Sequence, residues 1–153
     1  MEKLYENINN YLLINIFIYT TNTNKQLNKM ENFTPQQQDK LDNIPQVYID
    51  PEGTYKYVQI SFNNKIYIRG IAKYKYHKGN YKHFISELNA LNLNRECKTK
   101  CLGGGRIQTN PHDRTIFVYG YSNAYGRCKH QITVNLLKEQ YPTYNISWSN
   151  DGY

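Results

Sequence analysis

Apolar and polar positions alternate over residues 55–62, YKYVQISF, so Val58, Ile60 and Phe62 fall on one side of an extended segment. Ile66 and Ile68 alternate likewise beyond a two-residue connection, Asn63 and Asn64. Asparagine tolerates the positive φ that a tight connection needs, so this stretch predicts a β-hairpin. From Tyr81 the period changes. Tyr81, Phe84, Ile85, Leu88 and Leu91 recur at intervals of three and four, preceded by Gly79 and Asn80 as entry and cap, which predicts an amphipathic helix starting near residue 80. Strand-like segments at 97–108 and 114–121 then flank the turn Asn110, Pro111, His112, Asp113. A second helix is predicted from about Thr133 until Pro142 stops it, and Tyr144 to Trp148 closes the chain as a strand. The order ββαββαβ predicts an α/β fold: a single domain with one mixed β-sheet flanked by two α-helices, and a further edge strand near Val47 to Ile49.

The N-terminal part reads differently. Residues 22–43, NTNKQLNKMENFTPQQQDKLDN, are rich in Asn and Gln, with few apolar residues and no sustained period. Such a segment buries too little surface to offset its ordering entropy, so residues 1–43 are expected to be a low-complexity, disordered or weakly ordered extension and residues 44–153 the domain. The apolar run from Leu12 to Tyr19 is interrupted by Asn15 and falls far short of the roughly 20 residues that span a bilayer. It also makes a poor signal peptide, because Glu2 and Glu6 precede it and Tyr19, Thr20 and Thr21 follow. Met30 is an alternative start. No repeat of solenoid or propeller length is visible.

Composition narrows the partner. A chain of 153 residues suits one domain; its 39% hydrophobic content is low, but 16 Tyr are amphipathic and can build much of a core. The formal net charge of +7 favours an anionic partner. That charge is uneven: residues 1–43 carry four basic and five acidic side chains, residues 44–153 fifteen and seven. Three cysteines, Cys97, Cys101 and Cys128, are too few for a disulfide scaffold, so a reducing, cytoplasmic setting is expected, and a monomer with no membrane partner.

Three places can carry chemistry. CLGGGRI, residues 101–107, sets three glycines before Arg106, and glycine N–H groups beside a guanidinium suit an oxyanion; a bulged or kinked strand is the equal alternative. The GKS or GKT of a Walker loop is absent. His77 stands just ahead of the predicted helix, where the positive end of the dipole holds an imidazole neutral and the same amides attract an anion. Ser122, in SNAYG, leaves a strand and offers a further oxyanion contact.

Together these residues resemble the 14 kDa phosphohistidine phosphatase family, which includes the insect janus and ocnus proteins. The resemblance runs over about 110 residues from Ile44, through IPQVYIDPEG, YKYVQI, the RG at 69–70, the YH at 76–77, CLGGGRI, VYGYSNAYG, His130, the YP at 141–142 and the ending SWSNDGY. It implies a metal-independent protein phosphatase that needs no cofactor and cleaves the P–N bond of phosphohistidine, and in the family's wider activity phospholysine, in phosphohistidine-containing proteins. The family's essential histidine falls on His77, its phosphate-contacting cations on Lys56, Arg69 and Arg106, and its phosphate-binding turn on Ser122, Asn123 and Ala124; His130 matches a histidine of secondary role. Asn123 stands where a Met is familiar, the connection at Asn63 and Asn64 is shorter than in the animal enzyme, and residues 1–43 have no counterpart.

Two other classes compete. Lys73, Lys75, Lys78 and Lys82 interleave with Tyr74, Tyr76 and Tyr81 as in a nucleic-acid module, without an RNP, KH or zinc-finger signature, so no nucleic-acid partner is expected. Cys97, Cys101, Cys128 and His130 could suggest zinc, but their spacings match structural zinc patterns poorly.

Overall fold

The computed structural model describes residues 33–93 and 99–152, and all named elements lie in the unit that begins at Pro35. They are α1 (Pro35–Asp42), β1 (Val47–Ile49), β2 (Gly53–Phe62), β3 (Lys65–Gly70), α2 (His77–Ala90), β4 (Lys100–Asn110), β5 (Thr115–Tyr119), α3 (His130–Gln140) and β6 (Asn145–Trp148). The sheet order is β1-β3-β2-β4-β5-β6. Its middle is antiparallel, while the outer pairs β1 with β3 and β5 with β6 are parallel. The sheet is therefore mixed, as the element order predicts.

The hairpin between β2 and β3 turns at Asn63 (φ 45°) and Asn64 (φ 58°), two successive left-handed residues that match the right-handed twist of the strands. Because paired residues share a face, the two alternations land on opposite sides. Val58, Ile60 and Phe62 face α2, where Phe62 meets Phe84 edge-on at 6.0 Å. Ile66 and Ile68 pair with Ser61 and Gln59, and Gln59 Nε2 donates to Thr133 Oγ1 of α3 at 3.1 Å. The two helices thus cover opposite faces, which is why Tyr57, Val58, Gln59 and Ile60 are all buried in succession.

Both helices start earlier than their apolar spacing indicates. α2 opens at His77 and buries His77, Asn80, Phe84 and Leu88; α3 opens at His130 and buries His130, Thr133, Val134 and Leu137. The first inward positions are polar, so a search for apolar periodicity passes over them. Asn80 is not a cap but an inward residue of α2: it accepts from the Ile71 N–H at 2.8 Å and donates to the Lys56 carbonyl at 2.9 Å.

α1 is an addition to the predicted order and lies inside the stretch expected to be a tail, so packed structure begins before Ile44. Its single buried residue, Leu41, is 1% exposed, and Lys65 of β3 pairs with Asp42 at 3.2 Å. The overlooked signal is Thr34 followed by Pro35 at the first helical position. Leu12 to Tyr19, Met30 and Cys97 lie outside the described residues.

Candidate active site

Three consecutive glycines in the middle of β4 leave that strand without side chains where both helices begin. Gly103, Gly104 and Gly105 pair with Gln59, Val58 and Tyr57 of β2, and the register slips at a bulge between Gln59 and Ile60. A Cβ on Gly104 would lie 2.7 Å from His77 Cδ2, and one on Gly105 would lie 2.9 Å from His130 Cε1. The run therefore admits one imidazole onto each face of the sheet. Of the two expectations for this segment, an oxyanion-binding run and a bulged or kinked strand, the fold shows the bulged strand: the glycines are ladder residues and the Gly104 N–H donates to the Gly126 carbonyl at 3.0 Å.

His77 is 6% exposed at the first residue of α2, and its Nε2 lies 2.9 Å from the Gly105 carbonyl oxygen. A carbonyl can only accept, so Nε2 carries the proton and the neutral ring presents Nδ1 as its basic atom. Burial is the largest cause holding the His77 pKa below 6.5; the Gly105 bond opposes it, and the charges of Lys56 and Arg106 add to the depression. The position at the helix start predicts that depression from the dipole. The structure assigns it first to desolvation.

His77 opens onto a cleft of about 620 Å³ lined also by Lys56, Tyr76, Ser122, Asn123 and Ala124. Tyr76, the residue capping α2, makes no side-chain cap bond, and its carbonyl takes the Gly79 N–H at 2.9 Å, so the amides of the cleft-lining His77 and Lys78 are the ones the helix start has to offer. Lys56 and Arg106 are cross-strand partners on the α2 face of the sheet, beside the glycines. Lys56 lines the cleft, whereas half-buried Arg106 is not among the lining residues and reaches the site through its charge on His77.

The turn at 122–126 closes on itself. Ser122 N–H donates to the Gly126 carbonyl at 3.1 Å, Gly126 N–H returns to the Ser122 carbonyl at 2.7 Å, and Ser122 Oγ accepts from the Tyr125 N–H at 3.2 Å. Ser122 therefore has its hydroxyl proton, not its amide, to offer a ligand, while Asn123 and Ala124 are exposed at the rim.

Arg69 is not brought to the cleft. It is fully buried, its Nε bonds Glu87 at 2.8 Å, one terminal nitrogen donates to the Ile68 carbonyl, and the guanidinium lies 4.8 Å from the Phe84 ring centre. It holds α2 to the sheet. The other buried imidazole, His130, sits behind β4: Nε2 donates to the Gly120 carbonyl at 2.9 Å, and Nδ1 accepts from Tyr57 Oη at 2.6 Å. Cys128 Sγ lies 3.1 Å from the same Tyr57 oxygen, and burial raises the Cys128 pKa. Burial also lifts the Cys101 thiol to about 11. Among the described residues no three His, Cys, Asp or Glu side chains gather as metal ligands.

The Janus/Ocnus family model matches residues 41–145. The chain belongs to the Janus/Ocnus family. It is 37% identical over 121 residues to the human 14 kDa phosphohistidine phosphatase, a match covering 72% of this chain and 94% of that protein. The pig protein of the same name is 37% identical over 124 residues, covering 74% and 95%. Another Janus/Ocnus relative, the sex-regulated protein janus-A of Drosophila melanogaster, is 36% identical over 121 residues, covering 76% and 87%. The family match spans the cleft residues from Lys56 to Ala124, and it also takes in Leu41 of α1.

Proposed function

We propose that this chain is a protein histidine phosphatase, a metal-independent phosphoramidate hydrolase that cleaves the P–N bond of phosphohistidine, and of phospholysine by the same chemistry. The observation that carries this reading is the state of His77: a neutral imidazole on a basic cleft, its Nε2 proton committed to the Gly105 carbonyl and its Nδ1 lone pair available. The names of the phosphohistidine phosphatase relatives support the substrate class.

Two routes use the same geometry. In one, Nδ1 takes a proton from water as the water oxygen bonds to phosphorus, the P–N bond breaks, and that proton passes to the departing imidazole nitrogen. In the other, Nδ1 itself bonds to phosphorus as the P–N bond of a substrate ring already protonated on its other nitrogen breaks, so the departing imidazole leaves neutral, and water later releases phosphate from His77. Either way the His77 ring gains positive charge, which the Gly105 carbonyl stabilises. Lys56, Arg106, the Ser122 hydroxyl and the first amides of α2 offset charge on the phosphoryl oxygens. Arg69 supports the site from within the core.

The test is phosphate release from a phosphohistidine peptide, compared with phosphoserine and phosphotyrosine peptides, in EDTA. His77→Ala should lower kcat by about 10²–10⁴-fold, the range for positioned acid–base groups, with the folded signature unchanged. Substantial hydrolysis by a folded His77→Ala protein would remove His77 from the reaction. Rapid quenching of wild type with a labelled phosphodonor separates the routes: label on His77 marks covalent transfer.

A further inference from the structure

The cleft carries more positive charge than one phosphoryl group needs. Five lysines line it, Lys56, Lys73, Lys75, Lys78 and Lys82, with no carboxylate among the lining residues. None of the five forms an ion pair with a described residue. A phosphoryl group of roughly −1.5 to −2 charge is matched by Lys56, Arg106 and the start of α2, where Lys78 is the second residue of the helix. Lys73, Lys75 and Lys82 are exposed and remain as a surplus around the mouth.

The aromatic side chains between them discriminate between anionic partners. Tyr76 is 63% exposed, yet Lys56 Nζ and Lys75 Nζ lie over its ring at 5.5 and 5.6 Å. Tyr74 has Lys73 Nζ over its ring at 5.1 Å and His83 packed against it at 5.8 Å. Rings already engaged by ammonium groups make poor platforms for stacked bases, while the ammonium groups themselves point charge at the mouth.

We propose that the Lys73, Lys75 and Lys82 rim is a docking surface for an acidic polypeptide segment, so that the preferred substrate carries Asp and Glu around its phosphorylated side chain. The proposal rests on the phosphatase reading for its substrate but not for its binding, because carboxylates meet these lysines whether or not a phosphoryl group is present. Exposed pairs contribute little one by one, and three together are worth about a tenfold preference.

The test uses the full chain and two fluorescein-labelled peptides with a central unphosphorylated histidine, one flanked by Asp and Glu and the other by Ser and Gln. A single-stranded oligonucleotide of the acidic peptide's net charge is the third probe. At low salt the acidic peptide should bind about tenfold tighter than the neutral one, and the preference should shrink as salt screens it. The triple variant Lys73→Gln, Lys75→Gln, Lys82→Gln should lose the preference. Equal affinity for the two peptides, a triple variant that keeps the preference, or tighter binding of the oligonucleotide would each overturn the proposal. Turnover of free phosphohistidine, measured alongside, judges the phosphatase reading separately, so failure of one claim is not mistaken for failure of the other.

Discussion

His77 and His130 stand back to back across β4, each the first residue of its helix, each donating Nε2–H to a backbone carbonyl at 2.9 Å. They are distinguished by what remains at Nδ1. In His130 it is closed by the Tyr57 hydroxyl, whereas His77 turns toward the cleft. Two similar imidazoles are thereby left in different states, one tied at both ring nitrogens within the sheet and the other facing the cleft, as the proposed reaction requires.

Replacing Gly104 by Ala should drive a methyl group against the Tyr57 carbonyl oxygen and into the His77 ring, and cost at least about 1–3 kcal/mol of stability, the usual penalty of overpacking, together with most of the turnover. Gly105→Ala meets the Tyr119 carbonyl oxygen and His130 on the other face instead, so its loss of stability should exceed its loss of turnover. Thermal denaturation measured beside kcat checks both. Equal effects on kcat from the two variants would mean that β4 does not separate the two histidines' roles.

Both histidines have pKa values held below 6.5, with burial the largest cause. The unfolded chain therefore binds protons at a higher pH than the folded one. Their contribution to stability is fully present above about pH 6.5 and is lost as pH falls toward and through the depressed folded values. The midpoint of urea denaturation should decline over that window, and kcat/KM should fall with the His77 titration. In His130→Ala the decline in stability should become shallower while the titration in kcat/KM persists.

Arg69→Ala should act on folding. It removes a fully buried side chain from beside Phe84 and breaks the bond to Glu87, which is 27% exposed and keeps water as a partner, a loss on the order of 1.5–3 kcal/mol for a hydrogen bond to a charged group. Protein that remains folded should show KM close to that of wild type. A stable Arg69→Ala protein with a sharply raised KM would return Arg69 to the phosphate site.

Removal of residues 1–34 should leave the unit that begins at Pro35 and its turnover nearly intact. Removal of residues 1–43 also deletes Leu41, and so should Leu41→Ala weaken the fold, by about 2–5 kcal/mol as for other buried leucines. Chemical denaturation of the two truncated forms, compared with Leu41→Ala, decides whether α1 belongs to the core.

Periodicity and turn chemistry determined the order of strands and helices from Val47 to Trp148, because alternation, three-and-four spacing and an Asn-Asn connection are local properties of the chain. The motifs shared with the phosphohistidine phosphatase family also marked His77, Lys56 and Ser122 to Ala124, all of which line one cleft. α1 and the first turns of α2 and α3 were not legible: their inward positions are Leu41 alone, His77 with Asn80, and His130, which carry no apolar rhythm. Nor could spacing separate Arg69 from Arg106. Both precede or follow a glycine on a strand, but β3 buries one beneath α2 and β4 leaves the other half-exposed beside Lys56. Only the tertiary structure decided what the glycines are for. Their job depends on two helices that begin 53 residues apart, at His77 and His130, arriving on opposite faces of the same strand, where the absence of a Cβ lets each imidazole reach a carbonyl and takes its proton position out of the control of solvent.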